Sequence, residues 1–202
     1  MGNPRMLSVV AGTMALFCLC VCGDGAPLRP NLLETYRRVL EEKSSKAFTK
    51  FETAYLSKLR PPFWLHLGLL QSAGTQPLTN DKHILGRICN ITGVLRVPIS
   101  LAVQDERKRN GPATEVLREL KTALKDTHVI ASETYKSMFG SHPPSFSMLT
   151  GHTLDQKIRP MISNPSKLNQ MRTYATLQEM TYIIPDELKR LASMLSHPTV
   201  AK

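Results

Sequence analysis

The side chains best suited to chemistry in this 202-residue chain are the thiol of Cys89 and the imidazoles of six histidines. A thiol becomes a nucleophile when a nearby histidine can take its proton, and two histidines on one helix face can bind a metal ion. Cys89 lies in an apolar run without the signature of a cysteine enzyme, so we expect a buried thiol. The histidines occur at spacings that fit no metal-binding pair on one helix: His66, His83, His128, His142, His152 and His197.

Motifs for other reactions are also absent from the sequence. It contains no zinc-peptidase, nucleophile-elbow, P-loop or dinucleotide-binding motif. The adjacent carboxylates at 105–106 and at 186–187 would point to different faces of a helix, which argues against acid–base pairs. We therefore predict a protein that is not an enzyme and that uses neither a cofactor nor a metal ion.

Residues 90–92, Asn-Ile-Thr, form an acceptor sequence for N-glycosylation at Asn90. This modification is restricted to exported chains. Residues 164–166 have the related order Asn-Pro-Ser, which the central proline disqualifies. The apolar neighbours of Asn90 leave two alternatives, a glycosylated side chain that faces water and an unused acceptor sequence.

The first 26 residues have the layout of a secretory signal peptide. Arg5 precedes an apolar run at 6–22, and small residues follow at 23, 25 and 26. An uncleaved membrane anchor is the alternative, but a span needs about 20 apolar residues and this run barely reaches that length. We predict a signal peptide at 1–26 and a secreted, extracellular domain at 27–202, in which Cys89 has no cysteine partner for a disulfide.

The composition favours anionic partners, because Lys and Arg number 26 against 16 Asp and Glu, a net charge of +10 at pH 7. The basic residues are spread over all segments without an aromatic platform for bases, so no nucleic-acid partner is predicted. Weak binding to sulfated glycans fits better. For the basic run at 106–109, a helix-dipole role is favoured over a processing site or a polyanion patch.

Hydrophobic periodicity predicts four long helices. The first begins with a candidate capping box at Asn31 and Glu34. The second is the least regular, because Pro98 is unfavourable in a helix interior and in a central strand; a kinked helix is predicted, with a strand at 94–101 as the alternative. Pro185 should bend the fourth helix. The four segments are 30–59, 81–109, 113–139 and about 164–195.

The lengths of the connections predict the topology. About twenty residues join the first helix to the second, a tight turn at 110–112 joins the second to the third, and about twenty-four residues join the third to the fourth. A short link forces antiparallel neighbours, whereas a long link lets two successive helices point the same way. The predicted fold is an all-α, long-chain four-helix bundle with up-up-down-down order.

Two stretches, one near each end of the predicted domain, carry a family resemblance. Residues 55–63 read Tyr-Leu-Ser-Lys-Leu-Arg-Pro-Pro-Phe, and residues 177–180 read Leu-Gln-Glu-Met, followed by Tyr182 and by Arg-Leu at 190–191. The first is similar to the helix A to AB-loop junction of interleukin-6-type helical cytokines, and the second to their last helix. Within that family the chain resembles cardiotrophin-like cytokine factor, ciliary neurotrophic factor and cardiotrophin most.

The resemblance implies a ligand that dimerises cell-surface cytokine receptors, with the shared interleukin-6-family transducing chain and a leukaemia inhibitory factor receptor-like chain as partners. Family ligands contact one receptor through helices A and C, and another through the starts of the AB loop and helix D, often with a Phe-x-x-Lys motif. That motif is not intact here. When Leu177 is aligned with its counterpart in the family, Lys167 stands at the Phe position of the motif and Gln170 at the Lys position. When the alignment is shifted by three residues, Lys167 stands at the Lys position, but Asn164 stands at the Phe position.

The predicted receptor contacts lie on three helices and one loop. Phe63 and Trp64 follow the first helix as candidate hot-spot aromatics; the alternative is that they fold back to cover the bundle. For the charged candidates, the alternative is that they form a solvated helix face without a partner. For the whole protein, the alternative function is that of a secreted basic amphipathic-helix protein that binds lipid or membrane surfaces. The helical candidates are Arg37, Arg38, Glu41, Arg118, Lys121, Lys125, Lys167 and Gln170.

Overall fold

The computed structural model describes residues 30–61, 65–74, 78–145, 149–162 and 164–196, and the predicted signal peptide lies outside them. All regular elements in these ranges are helical, which confirms the all-α class. The α-helices are α1 (Pro30–Leu59), α2 (Leu69–Ser72), α3 (Asp81–Lys108), α4 (Thr114–Phe139), α5 (Gly151–Ile158), α6 (Leu168–Tyr182) and α7 (Ile184–Ser196). Short 3-10 turns lie at Arg159–Met161 and Pro165–Lys167.

Helix α1 has the predicted bounds. Its apolar stripe is interrupted at Ser44, yet Ser44 is buried with the stripe, because its hydroxyl donates to the carbonyl of Glu41 at 3.1 Å. The capping box is wrong, because the helix begins at Pro30 and Asn31 lies inside it. The two carboxylate oxygens of Glu34 accept hydrogen bonds from Arg37, one turn further along, at 2.7 and 2.8 Å.

Helix α3 is uninterrupted across Pro98, so the strand alternative for 94–101 is wrong. A proline inside a helix costs about 3 kcal/mol, whereas each large aliphatic side chain contributes about 1.5–3 kcal/mol when buried. This helix buries many of them, and most of it lies inside the protein although it is long and apolar enough to cross a membrane. The large aliphatic residues that it buries are Ile84, Leu85, Ile88, Ile91, Val94, Leu95 and Ile99.

A tight turn joins α3 to α4 and is held by the buried carboxylate of Glu106. One oxygen accepts a hydrogen bond from Arg109 at 2.7 Å, and the other accepts one from the backbone N–H of Ala113 at 3.2 Å. At the opposite end of the pair, a Cβ added to Gly86 would lie 3.5 Å from the ring of Tyr135. The start of α3 therefore lies against the end of α4, and the two helices are antiparallel.

The fourth predicted segment consists of two helices, since Ile183 separates α6 from α7. Pro185 lies in the first turn of α7, where a missing N–H disturbs a helix least. The proline thus interrupts the helix in the region where a bend is predicted. Helix α6 is central in the molecule, because every residue from 171 to 180 is buried.

Side-chain contacts give the directions in which these helices run. Lys167 at the start of α6 donates to the backbone carbonyl of Lys58 at the end of α1, whereas Tyr182 at the end of α6 packs on Phe48 with ring centroids 5.6 Å apart. Helices α1 and α6 are therefore antiparallel. Helix α3 is also antiparallel to the α6–α7 pair, since Asp105 binds Arg172 at 2.5 Å and Arg87 lies 3.7 Å from Glu187.

Each long connection contains a short helix that periodicity does not predict, because four or eight residues are too few to show a repeat. Helix α5 begins with a reciprocal capping box between Thr150 and Thr153. It buries Leu154 and Ile158 against the bundle. The short helices fasten the connections to the core.

Candidate functional site

The end of α1 and the start of α6 meet at a cavity of about 380 Å³, named here the Lys167 cavity. The ammonium group of Lys167 donates to the carbonyl of Lys58 and so ties the two elements together. The lining of the cavity includes five apolar side chains and two cations. The lining residues are Leu59, Arg60, Pro61, Met161, Ile162, Asn164, Lys167 and Met171.

Arg60 lines this cavity in a left-handed backbone conformation, with φ 47°. Its N–H donates to the carbonyl of Leu56 at 3.0 Å and ends α1. Glycine is the usual residue at such a position, because a Cβ costs about 1–2 kcal/mol in this conformation. A strained arginine at the wall of a cavity is typical of a position that function constrains.

The cavity contains one of the two residues predicted at the start of the last helix. Lys167 lines it and is half-buried, whereas Gln170 is half-buried outside the lining. Asn164 has a local role as well, because its side-chain oxygen accepts hydrogen bonds from the N–H and hydroxyl of Ser166 at 2.9 and 2.7 Å. Neither alignment of the Phe-x-x-Lys motif places an aromatic residue here.

The predicted residues of α1 form a chain of ion pairs. Arg37 joins Glu34 to Glu41, so its charge is matched within the helix. Hydrogen bonding from Arg37 lowers the pKa of Glu34 from 4.5 to about 2, and the same pair raises the pKa of Arg37. Arg38 contacts Glu34 at 3.3 Å but leaves 74% of its side chain exposed. Of these candidates, Arg38 is the most available to a partner.

The predicted residues of α4 lie on the helix that packs beside α1. Glu119 links the two helices, because it accepts hydrogen bonds from Lys43 at 3.0 Å and Lys46 at 3.3 Å, which lower its pKa. Arg118, Lys121 and Lys125 are all exposed, and Arg118 pairs with Glu115 at 2.7 Å. We call the outer positions of both helices the α1–α4 surface: Arg37, Arg38, Glu41, Arg118, Lys121 and Lys125.

A buried carboxylate fixes the path of the chain after α1. Glu179 of α6 accepts hydrogen bonds from three successive backbone N–H groups, those of residues 67, 68 and 69, with Gly68 and Leu69 at 2.9 Å. Gly68 makes this possible by adopting φ 67°, which turns neighbouring N–H groups toward one point. Lys157 of α5 donates to the carbonyl of Leu67 at 2.5 Å. Sequence reasoning misses this cluster, because its carboxylate lies within an otherwise amphipathic helix.

A second buried polar cluster joins three helices. Arg172 of α6 binds Asp105 of α3 at 2.5 Å and also pairs with Asp155 of α5. Arg172 and Asp105 are more than nine-tenths buried. Breaking a buried ion pair leaves an uncompensated charge, so the loss of any member of this cluster should weaken the attachment of α5 and α3 to α6.

The remaining predicted positions are of three kinds. Phe63 and Trp64 lie outside the described residues. Asn90 is half-buried and its amide donates to the carbonyl of Ala73 at 3.3 Å, so a glycan would replace that contact, and glycosylation there stays a prediction. Cys89 is 1% exposed, which confirms the predicted burial of its thiol, and this burial raises the pKa of the thiol to about 12.

The α1 residues of the α1–α4 surface lie far from the Lys167 cavity. Arg37 and Lys58 are 21 residues apart on α1, which corresponds to about 30 Å of helix.

No protein-family model, curated protein or solved structure matches the chain. In the ranges that the structure describes, no group of three or more His, Cys, Asp and Glu side chains could hold a metal ion. The arrangement offers surfaces for binding.

Proposed function

We propose that this chain is a secreted cytokine of the interleukin-6 type, which binds two receptor chains at once and so triggers intracellular kinase and transcription-factor signalling. The observation that carries the proposal is the set of helix directions. Helices α1 and α3 are each antiparallel to α6, and α4 is antiparallel to α3. These directions support an up-up-down-down order, which is the order of long-chain cytokine bundles.

The spacing of the two surfaces supports simultaneous binding of two receptors. A standard protein interface covers about 800 Å² on each partner, a patch about 30 Å across. On α1, Arg37 of the α1–α4 surface and Lys58, which binds Lys167, are 21 residues apart, about 30 Å of helix. This length supports a second receptor chain at the Lys167 cavity beside one bound at the start of α1.

The chemistry of each surface suggests what a receptor must offer. The Lys167 cavity combines apolar walls with the cations Arg60 and Lys167. This combination suits an apolar receptor side chain that lies beside a carboxylate. The α1–α4 surface presents exposed cations at Arg38, Lys121 and Lys125, which suit an acidic receptor surface.

The distribution of apolar side chains favours a cytokine over a protein that binds lipid surfaces. A membrane-binding helix needs a continuous exposed apolar stripe. In the described part of the chain, the exposed large apolar residues are scattered, with at most two on any helix, and the stripes of the long helices face the core. The exposed ones are Val39, Leu56, Val129, Met138, Met161 and Tyr182.

Receptor phosphorylation tests the proposal. Purified protein is added to cells that express the shared transducing chain, the leukaemia inhibitory factor receptor-like chain, or both. We expect phosphorylation of the receptors when both chains are present and none with either chain alone. Silence with every pairing of family receptors would reject the proposal.

A further inference from the structure

Cations gather at the end of the molecule where α1 and α3 finish and α6 begins. The ranges 55–60, 105–109 and 164–172 contain seven Lys and Arg residues and only two acidic residues. Contacts show that the three ranges adjoin. The hydroxyl of Tyr55 donates to Glu106 at 3.3 Å, and Lys167 donates to the carbonyl of Lys58.

The two acidic residues in these ranges are buried and already matched, and the nearby Glu115, at the start of α4, pairs with Arg118 at 2.7 Å. Asp105 binds Arg172 at 2.5 Å, and Glu106 binds Arg109 at 2.7 Å. Four further cations are exposed to solvent, and none of them forms an ion pair with another described residue. We call these four the basic end: Lys58, Arg60, Arg107 and Lys108.

The helix dipoles do not offset this charge. The C-termini of α1 and α3 lie here and carry about half a negative charge each, but the N-termini of α4 and α6 lie at the same end and carry about half a positive charge each. The dipoles roughly cancel, so about four positive charges stay uncompensated at this end.

We propose that the basic end binds a sulfated glycan. Sulfate groups repeat closely along such a polymer and are matched by several lysine and arginine side chains on one surface. Single-stranded nucleic acid fits less well, because the Tyr55 ring is partly buried and lies 5.7 Å beneath the guanidinium of Arg109, where no base can stack on that face.

The choice of an extracellular polymer rests on the proposed function. An exported protein meets sulfated glycans, whereas anionic lipids are concentrated in the cytoplasmic leaflet of the membrane. Bound glycan would hold the ligand at the cell surface close to its receptors. Arg107 and Lys108 do not line the Lys167 cavity, so glycan binding and receptor binding can be measured on different residues.

A pair of matched double variants tests the site. R107Q/K108Q removes two charges from the basic end. K136Q/K189Q removes two exposed charges near the opposite end of the bundle, at the end of α4 and within α7. Binding of each purified protein to heparin is measured at about 0.15 M salt, where exposed charges more than about 8 Å apart are screened. Thermal unfolding is measured on both variants to check that they are folded.

We expect R107Q/K108Q to bind heparin at least about tenfold more weakly than the wild-type protein, since each cation near an anionic surface is worth about fivefold. K136Q/K189Q should change the affinity less than about twofold. Equal weakening by the two variants would overturn the site, as would undiminished binding to desulfated heparin or tighter binding to phosphatidylserine vesicles than to heparin. A failed receptor assay would reject the proposed function but would leave these affinities unchanged.

Discussion

Glu179 is the single residue on which the path of the chain after α1 depends most. Its carboxylate accepts three backbone N–H groups at 67–69 and is almost fully buried. Replacement by glutamine keeps the size of the side chain but removes the charge and presents an amide donor to a backbone donor. We expect E179Q to lower the free energy of unfolding by about 2 kcal/mol, measured by urea denaturation.

The matched control for this change is E133Q, since Glu133 is exposed on α4. Its effect should be within about 0.5 kcal/mol of zero. Equal stability of E179Q and E133Q would show that the backbone N–H groups at 67–69 find other partners, and it would contradict the role given to Glu179.

Variants of Arg60 test backbone strain and receptor binding together. Its backbone is left-handed, which glycine tolerates and alanine does not. Variants R60G and R60A both remove the cation from the Lys167 cavity, but only R60G relieves the backbone. We expect R60G to be more stable than R60A by about 1 kcal/mol in urea denaturation, while both weaken receptor binding equally. Equal stability of the two variants would argue against the strain.

Individual buried polar residues are the part of the site that the sequence cannot reveal. Periodicity identifies apolar stripes, and it treats the polar positions of α6 as a solvated face. Arg172 and Glu179 are buried because α5 and the connection at 65–69 cover that face. Their burial depends on contacts with distant segments, which no local pattern encodes. Cys89 is predictable, by contrast, since its immediate neighbours are apolar.

At the scale of elements, the start of α1 should respond to acid through Glu34. Hydrogen bonding from Arg37 lowers the pKa of Glu34 to about 2 in the folded helix, from 4.5. Because the folded value lies below the unfolded one, this stabilisation is complete above about pH 4.5 and is lost as the pH falls toward 2. We expect chemical shifts of residues 34–41 to show loss of helix in this window. In E34Q this loss of helix between about pH 4.5 and 2 should be absent. If E34Q and the wild-type protein had the same pH profile, the result would contradict the ion pair.

The long helices are predictable to within a few residues, whereas their details are not. The bounds of α1 and α3 follow from periodicity, because each buries a long apolar stripe. Met138, in the last turn of α4, is 37% exposed, whereas Tyr135 one turn earlier is buried. Helix α5 is not predicted, because its eight residues are too few to show a repeat; its contact with α6 is made by the pair of Asp155 with Arg172.

For the whole molecule, the lengths of the connections predict which helices lie side by side better than they predict which proteins bind the chain. The tight turn after α3 makes α3 and α4 antiparallel, as a short link requires. The proposed bridge between two receptors needs two binding surfaces that leave room for each other, and the length of α1 places Arg37 about 30 Å from Lys58. The Lys167 cavity itself is not predictable, because its lining comes from residues 59–61 and 161–171, which no local pattern brings together.

The most direct test of the account measures receptor phosphorylation in the presence of a variant with one altered surface. K167E reverses a charge in the Lys167 cavity and leaves the α1–α4 surface intact; K189E is the matched control on the exposed side of α7. We predict that K167E, folded by thermal unfolding, fails to signal and inhibits the wild-type protein when added in excess, whereas K189E signals normally. Normal signalling by K167E, or its failure to inhibit the wild-type protein, would contradict a ligand that bridges two receptors.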